Sequence, residues 1–327
     1  MKKTLLALAV LAAAGSANAV EILKSDAGTV DFYGQIRVQA EFEEHKDTTL
    51  DAGSSRAGVK AKYALEQGID ILGEVEFSLA SEKTTHEDEK ATWAVRKHWL
   101  GVGTDFGSLK FGKQSVVADD VYGAEYSYAY GQSDGVLYPM AWLNSSLIKY
   151  EFTHDSFWVK ASYGLPESDA ANPNQELLEL YAGTSFGDLA LHAGVGQWEK
   201  TPGDETKFYE VTGEYTLGST LFGVTYSAFD KDGKNNDQDA VSLGVTHQLT
   251  KTLKPYIGYQ MVDFEVGNDI CKDKADNKVE CKDTDYGYLG LEYKPASWFL
   301  TYAEYGYSKQ ETKDSENKFA IGARVYW

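Results

Sequence analysis

The chain has 327 residues and a formal net charge of −19, and it is 13% aromatic, with 22 Tyr, 31 Gly and only 6 Pro. That acidity excludes a nucleic-acid partner, because phosphate binding needs clustered Lys and Arg. Beyond the N-terminus no stretch approaches the roughly 20 uncharged apolar residues of a membrane-spanning helix, and the mean hydropathy is −0.41.

Lys2 and Lys3 precede an apolar run from Thr4 to Gly15, and Ala17-Asn18-Ala19 follows as a small-x-small cleavage site. Residues 1–19 are therefore expected to be a secretory signal peptide, which makes 20–327 a single exported domain. The run is too short to serve as a helical membrane anchor. Losing it removes two lysines and moves the formal charge to −21.

From Thr29 to Glu43 the sequence alternates, with Val30, Phe32, Gly34, Ile36, Val38, Ala40 and Phe42 on one face and Asp31, Tyr33, Gln35, Arg37, Gln39 and Glu41 on the other. Period two over this length predicts a long β-strand. The pattern returns near 56–65, 70–80, 91–104, 109–113, 147–153, 157–164, 176–186, 189–198, 207–216, 220–229, 240–249, 253–263, 286–293, 298–307 and 318–327, sixteen predicted strands in all. Alternate connections are tight, as at Gly187-Asp188 and Leu217-Gly218-Ser219, and the others are long and acidic. All tight turns then lie at one end, which predicts an all-β, 16-stranded antiparallel up-and-down transmembrane barrel with short periplasmic turns and long external loops. Trp93, Trp99, Phe106, Phe111, Tyr163, Phe186, Phe222, Tyr226, Phe299 and Tyr326 fall near predicted strand ends, where aromatic girdles sit.

One connection, the third long loop at 114–146, is far longer than the usual 4–6 residues and is expected to fold into the lumen. Near the other end, Cys271 and Cys281 stand in an acidic stretch with nine residues between them. In an exported protein they most simply form one disulfide closing a surface loop, the alternative being a reduced pair. Without a nearby His they make a poor metal site, and no metal or cofactor is expected.

The opening MKKTLLALAVLAAAGSANA, the first strand VDFYGQIRV, the segment GTDFGSLKFGKQ running into the long loop, and the last strand FAIGARVYW together resemble the general porins of Gram-negative outer membranes. The resemblance covers essentially the whole mature chain. It implies a homotrimer in outer-membrane lipid and lipopolysaccharide, with the third loop narrowing the bore. It also implies recognition by the barrel-assembly machinery through a last strand ending in Trp327, where family members mostly end in Phe.

In the family, basic side chains on the wall face carboxylates on the third loop, and the field between them sorts solutes. Alternation turns Arg37, Arg56, Lys60 and Lys62 inward, with Arg96 and Lys113 following. Arg56 and Arg96 match the family's basic cluster, whereas Gln35 and Leu143 stand where the family carries Lys and Arg, with Arg37 and Lys149 as substitutes. The family's Pro-Glu-Phe-Gly-Gly tip is replaced by YAYGQSD, so the acidic role falls to Asp119, Asp120, Glu125 or Asp134, with Asp120 and Glu125 favoured. Glu74 and Glu76 also face inward.

The expected function is a water-filled channel for passive diffusion of ions and small hydrophilic solutes, with weak cation preference. A hydrolase would need converging groups. His45, His86 and His154 lie on loops or turns, His98 and His192 are expected at different parts of the lumen, His247 faces outward, and no Gly-x-Ser-x-Gly is present. A plugged structural barrel and a sugar channel using Tyr126, Tyr128 and Tyr130 as an aromatic slide are the remaining readings.

Overall fold

The computed structural model describes residues 19–44, 46–79, 94–132, 135–166, 176–231, 237–264, 270–272, 278–280, 283–311 and 313–327. The predicted signal peptide, Ala19 apart, lies outside the described residues. In chain order the strands are β1 (Val20–Ser25), β2 (Gly28–Glu43), β3 (Thr49–Asp51), β4 (Arg56–Ala64), β5 (Asp70–Ser78), β6 (Val95–Thr104) and β7 (Gly107–Ser115). After the long loop come β8 (Leu143–Thr153), β9 (Phe157–Gly164), β10 (Glu176–Phe186), β11 (Leu189–Glu199), β12 (Glu205–Leu217) and β13 (Thr220–Lys231). The last are β14 (Gln238–His247), β15 (Leu253–Phe264), β16 (Ile270–Lys272), β17 (Lys278–Glu280), β18 (Thr284–Ala296), β19 (Phe299–Gln310) and β20 (Glu316–Tyr326).

Sixteen of these close a single antiparallel barrel, matching the sixteen predicted strands. Every step pairs a strand with the next one, and β20 returns to β2 with Gln35 opposite Tyr326 and Glu43 opposite Lys318. In hydrocarbon every backbone N–H and C=O needs a partner within the protein, so closure removes the free edges an open sheet would leave. The seam carries one strand the alternation did not announce: β1 folds back on the first half of β2, with Ser25 opposite Gly28, while β20 occupies the second half. Trp327 completes the junction, exchanging backbone bonds with Gly34 at 2.9 and 3.1 Å.

Outside, the strands present Leu100, Leu178, Val211, Ile257 and Leu289. The tight turns sit at one end, where Gly187 and Gly218 take the left-handed conformation at φ 62° and 61° that side chains with a Cβ resist. Phe106 and Phe186, 82% and 66% exposed, mark that end as an aromatic rim. Trp99 does not belong to the girdle: it faces the lumen and gives its indole N–H to Glu74 at 2.9 Å, because position near a strand end does not specify a face. Trp93 lies outside the described residues.

The long loop is shorter than predicted, since β7 continues through Ser115 and β8 begins at Leu143, leaving 116–142. It folds inward and makes the barrel's apolar core. Val116, Val117, Ala118, Val121, Val136, Leu137, Tyr138 and Met140 of the loop pack on Leu147, Trp158, Leu177, Tyr181, Phe208 and Phe229 of the wall. An apolar inner wall at this point would be costly beside lumen water, and the loop covers it. One short helix, α1 (Val117–Val121), starts the loop, and its first N–H groups are received by the buried carboxylate of Glu179, with Ala118 N at 3.1 Å.

Candidate functional site: the lumen constriction

The candidate neck lies where the inward-folded loop meets one side of the wall, with Trp142 on Arg96 of β6 and Tyr128 on Arg324 of β20. On the wall, Glu76 is 2% exposed and organises the cations around it. It meets Arg56 Nε at 3.3 Å, Arg96 Nε at 2.9 Å and the Tyr33 hydroxyl at 3.1 Å. Arg96 reaches this position through a bulge. Glu76 is opposite Lys97 and Phe77 is opposite Val95, so Arg96 is the extra residue, and the local bend aims it inward beside Lys97. Its guanidinium also lies 4.3 Å from the ring of Trp142 at the end of the loop. Lower on the wall Glu74 takes the Tyr33 hydroxyl, and Lys60 lies 4.0 Å from that carboxylate and 4.7 Å from the Tyr33 ring.

On the loop, Asp119 accepts the Tyr138 hydroxyl at 3.0 Å. Asp120 is bonded to Lys149, whose ammonium also donates to the Ser115 carbonyl at 3.0 Å and lies 3.9 Å from Glu151. Glu125 turns into the loop itself: it accepts the Ser127 N–H at 3.0 Å, with Gly131 packed over it. Burial pushes its carboxyl up to about 7, and neighbouring Glu304 adds to the shift. Such a shift favours the protonated loop, so this contribution to stability is full below the ordinary carboxylate range and lost as pH rises through about 7. Open-channel noise in planar bilayers is expected to increase from pH 6 to pH 8, and Glu125→Gln should remove that increase.

Two predicted positions fall elsewhere. Lys113 stands apart from the neck, its ammonium on the Val95 carbonyl at 2.9 Å. Val75, His98 and Lys113 are successive cross-strand neighbours, and outward-facing Val75 sets the face they share. His98, expected in the lumen, is therefore on the outer face as well. Asp134 and Cys281 lie outside the described residues, as does the side chain of Cys271, so the predicted disulfide does too.

Several residues at the neck were not singled out from the sequence. Arg324 donates to the Tyr128 carbonyl at 3.0 Å and lies 4.5 Å from that ring. Its signal was present, since Phe319, Ile321, Ala323 and Val325 face outward and alternation turns 324 inward. Glu304, fully buried, receives Ser127 Oγ at 2.5 Å, the N–H groups of Tyr128 at 2.7 Å, Tyr130 at 2.9 Å and Ala129 at 3.3 Å, and the Tyr256 hydroxyl at 2.7 Å. Further ties run from Tyr126 O–H to Glu214 at 2.6 Å and from Gln132 N–H to Gln260 at 2.8 Å.

Tyr126, Tyr128 and Tyr130 are thus anchors against the wall. Tyr128 stacks on Tyr302 with centroids 4.8 Å apart. The ring of Tyr126 rests on Gly244, where an added Cβ would come within 2.6 Å of it. Gly244→Val is expected to lift this part of the loop and raise open-channel noise while leaving barrel assembly intact, as followed by conductance and heat-modifiable gel mobility.

A closed barrel with a polar bore and an inward-folded, charged loop defines a transmembrane diffusion channel. The model of the Gram-negative porin family matches residues 4–313, and the chain belongs to that family. The major outer membrane protein of Pasteurella multocida (strain Pm70) is 31% identical over 366 residues, with 100% of each chain covered. Porin-like protein H of Photobacterium profundum is 26% identical, with 99% of each covered. Among solved structures, in-vitro folded OmpT, an outer membrane protein of Vibrio cholerae, is 41% identical at a TM-score of 0.77, covering 94% of this chain and 100% of that one. An anion-selective porin from Comamonas acidovorans shares the fold at a TM-score of 0.70 and 15% identity. The protein is an outer-membrane porin channel.

Proposed function

We propose that this porin passes ions and small hydrophilic solutes without catalysis and sorts them at the neck by the field between the wall cations and the loop carboxylates. The observation that supports this is that Glu76 holds Arg56 and Arg96 on the wall and Arg96 lies 4.3 Å from the ring of Trp142, at the end of the loop that carries Asp119 and Asp120. Arg37, Arg56, Arg96 and Lys60 supply the basic side, and Asp119 and Asp120 the acidic side. The acidic external loops give a weak preference for cations at the mouth, where the local potential concentrates them.

The working unit is a homotrimer in lipid and lipopolysaccharide, assembled through the C-terminal strand after removal of residues 1–19, with Cys271 and Cys281 joined. A structure of Vibrio cholerae OmpT described as a trimer form supports the oligomer. In planar bilayers the purified protein is expected to open in steps of three with a reversal potential on the cation side. Absence of conductance would overturn the reading, and strong anion selectivity would overturn its account of the mouth.

A further inference from the structure

Among the described residues, Arg37 and Arg324 differ from the neighbouring arginines in having no carboxylate partner. Arg56 and Arg96 share Glu76, whereas the polar partners of the Arg37 and Arg324 side chains are neutral. The two are direct cross-strand partners at the seam of β2 and β20, and both face the lumen, since Ile36, Val38 and Val325 beside them face outward. Arg37 donates to Gln35 Oε1 at 3.3 Å, and Gln35 is itself fixed by its bond to the Ser54 carbonyl at 3.0 Å. Arg324 is fixed by the Tyr128 carbonyl and lies over the rings of Tyr128 and Tyr302 at 4.5 and 5.5 Å. Among the described residues, the buried Nε atom of each guanidinium meets no hydrogen-bond acceptor.

Like charges directly opposite on neighbouring strands repel, and a buried N–H without an acceptor carries its desolvation cost. The charge of Arg56 adds to the repulsion on Arg37. An oxyanion between the two side chains would offset both repulsions, because the planar guanidinium matches the geometry of phosphate and carboxylate oxygens.

We propose that Arg37 and Arg324 form an oxyanion-binding subsite in the neck that takes the phosphate or carboxylate group of a passing solute, with Tyr128 and Tyr302 as its aromatic side. The proposal rests on the channel reading above. It names a stopping point for anionic solutes inside a pore whose mouth attracts cations.

The test is block of single-channel potassium chloride current by inorganic phosphate and, separately, by succinate. Wild type should show saturable block, and the relative strength of the two arms tells phosphate from carboxylate preference. Loss of one charged donor should raise the half-blocking concentration about tenfold in Arg37→Gln and in Arg324→Gln. Arg324→Lys keeps the charge but loses the fork, so it should raise that concentration severalfold, and it decides the matter if the glutamine variants do not assemble. Normal potassium chloride steps with no saturable block by either anion would overturn the subsite and leave the channel reading intact. Unchanged half-block in the assembled variants would also overturn it, whereas no steps in wild type would overturn the channel reading itself.

Discussion

Replacing Glu304 by alanine is expected to free the tip of the lumen loop, giving larger and noisier single-channel currents with the barrel still assembled. Glu304 is fully buried on β19 and receives three consecutive loop N–H groups, the Ser127 hydroxyl and the Tyr256 hydroxyl. Each hydrogen bond to a charged acceptor contributes about 1.5–3 kcal/mol, so losing the set removes several kcal/mol from the docking of this segment. The remaining ties at Glu179, Glu214 and Gln260 keep the rest of the loop on the wall. Proteolysis of the loop in the folded protein should be faster in the variant. Wild-type conductance and protease resistance in Glu304→Ala would show that the apolar contacts alone hold the tip.

Glu76→Gln is expected to move the reversal potential toward anions and to loosen the wall. The carboxylate is almost entirely buried and is bonded to Arg56, Arg96 and Tyr33. Removing one side of a buried ion pair costs about 3–5 kcal/mol, because the partner charges remain buried and uncompensated. Two guanidinium charges would then face the loop without their shared counter-charge. The measurements are reversal potential in a salt gradient and thermal stability, with Glu74→Gln as the control that leaves the Arg56 and Arg96 bonds in place. A reversal potential identical to wild type would mean that these arginines do not set the field at the neck.

The barrel was legible because its evidence is local and repeated. A strand whose two faces meet lipid and water must alternate, and sixteen alternating segments with alternating short and long connections admit one closed arrangement. The same rule turned Arg37 and Arg56 inward, and applied to the last strand it would have found Arg324. Arg96 was expected inward with them and does reach Glu76, but by a departure from regular pairing. Counting back from inward-facing Trp99 through Lys97 would put Arg96 outward, and only the bulge opposite Glu76 and Phe77 brings it to the neck. Trp99 was assigned to the girdle from its place near a strand end, although its face follows from the strand's pairing with β5.

The long loop itself was conspicuous in the sequence by its length and charge, but the work of its residues was not. Glu125 looks like a pore acid when read as a letter in a tyrosine-rich loop. In the fold it braces a turn under Gly131 and is pushed toward neutrality by burial. Asp120 is matched by Lys149, which lies on the strand after the loop. Local alternation, a property of neighbouring residues, determined the barrel and, where pairing is regular, the facing of side chains such as Arg37 and Arg56. The course of the loop across it was decided by contacts between residues such as Ser127 and Glu304, which stand 177 positions apart. No local pattern encodes a pairing over that distance, so only closure of the barrel brings the two together.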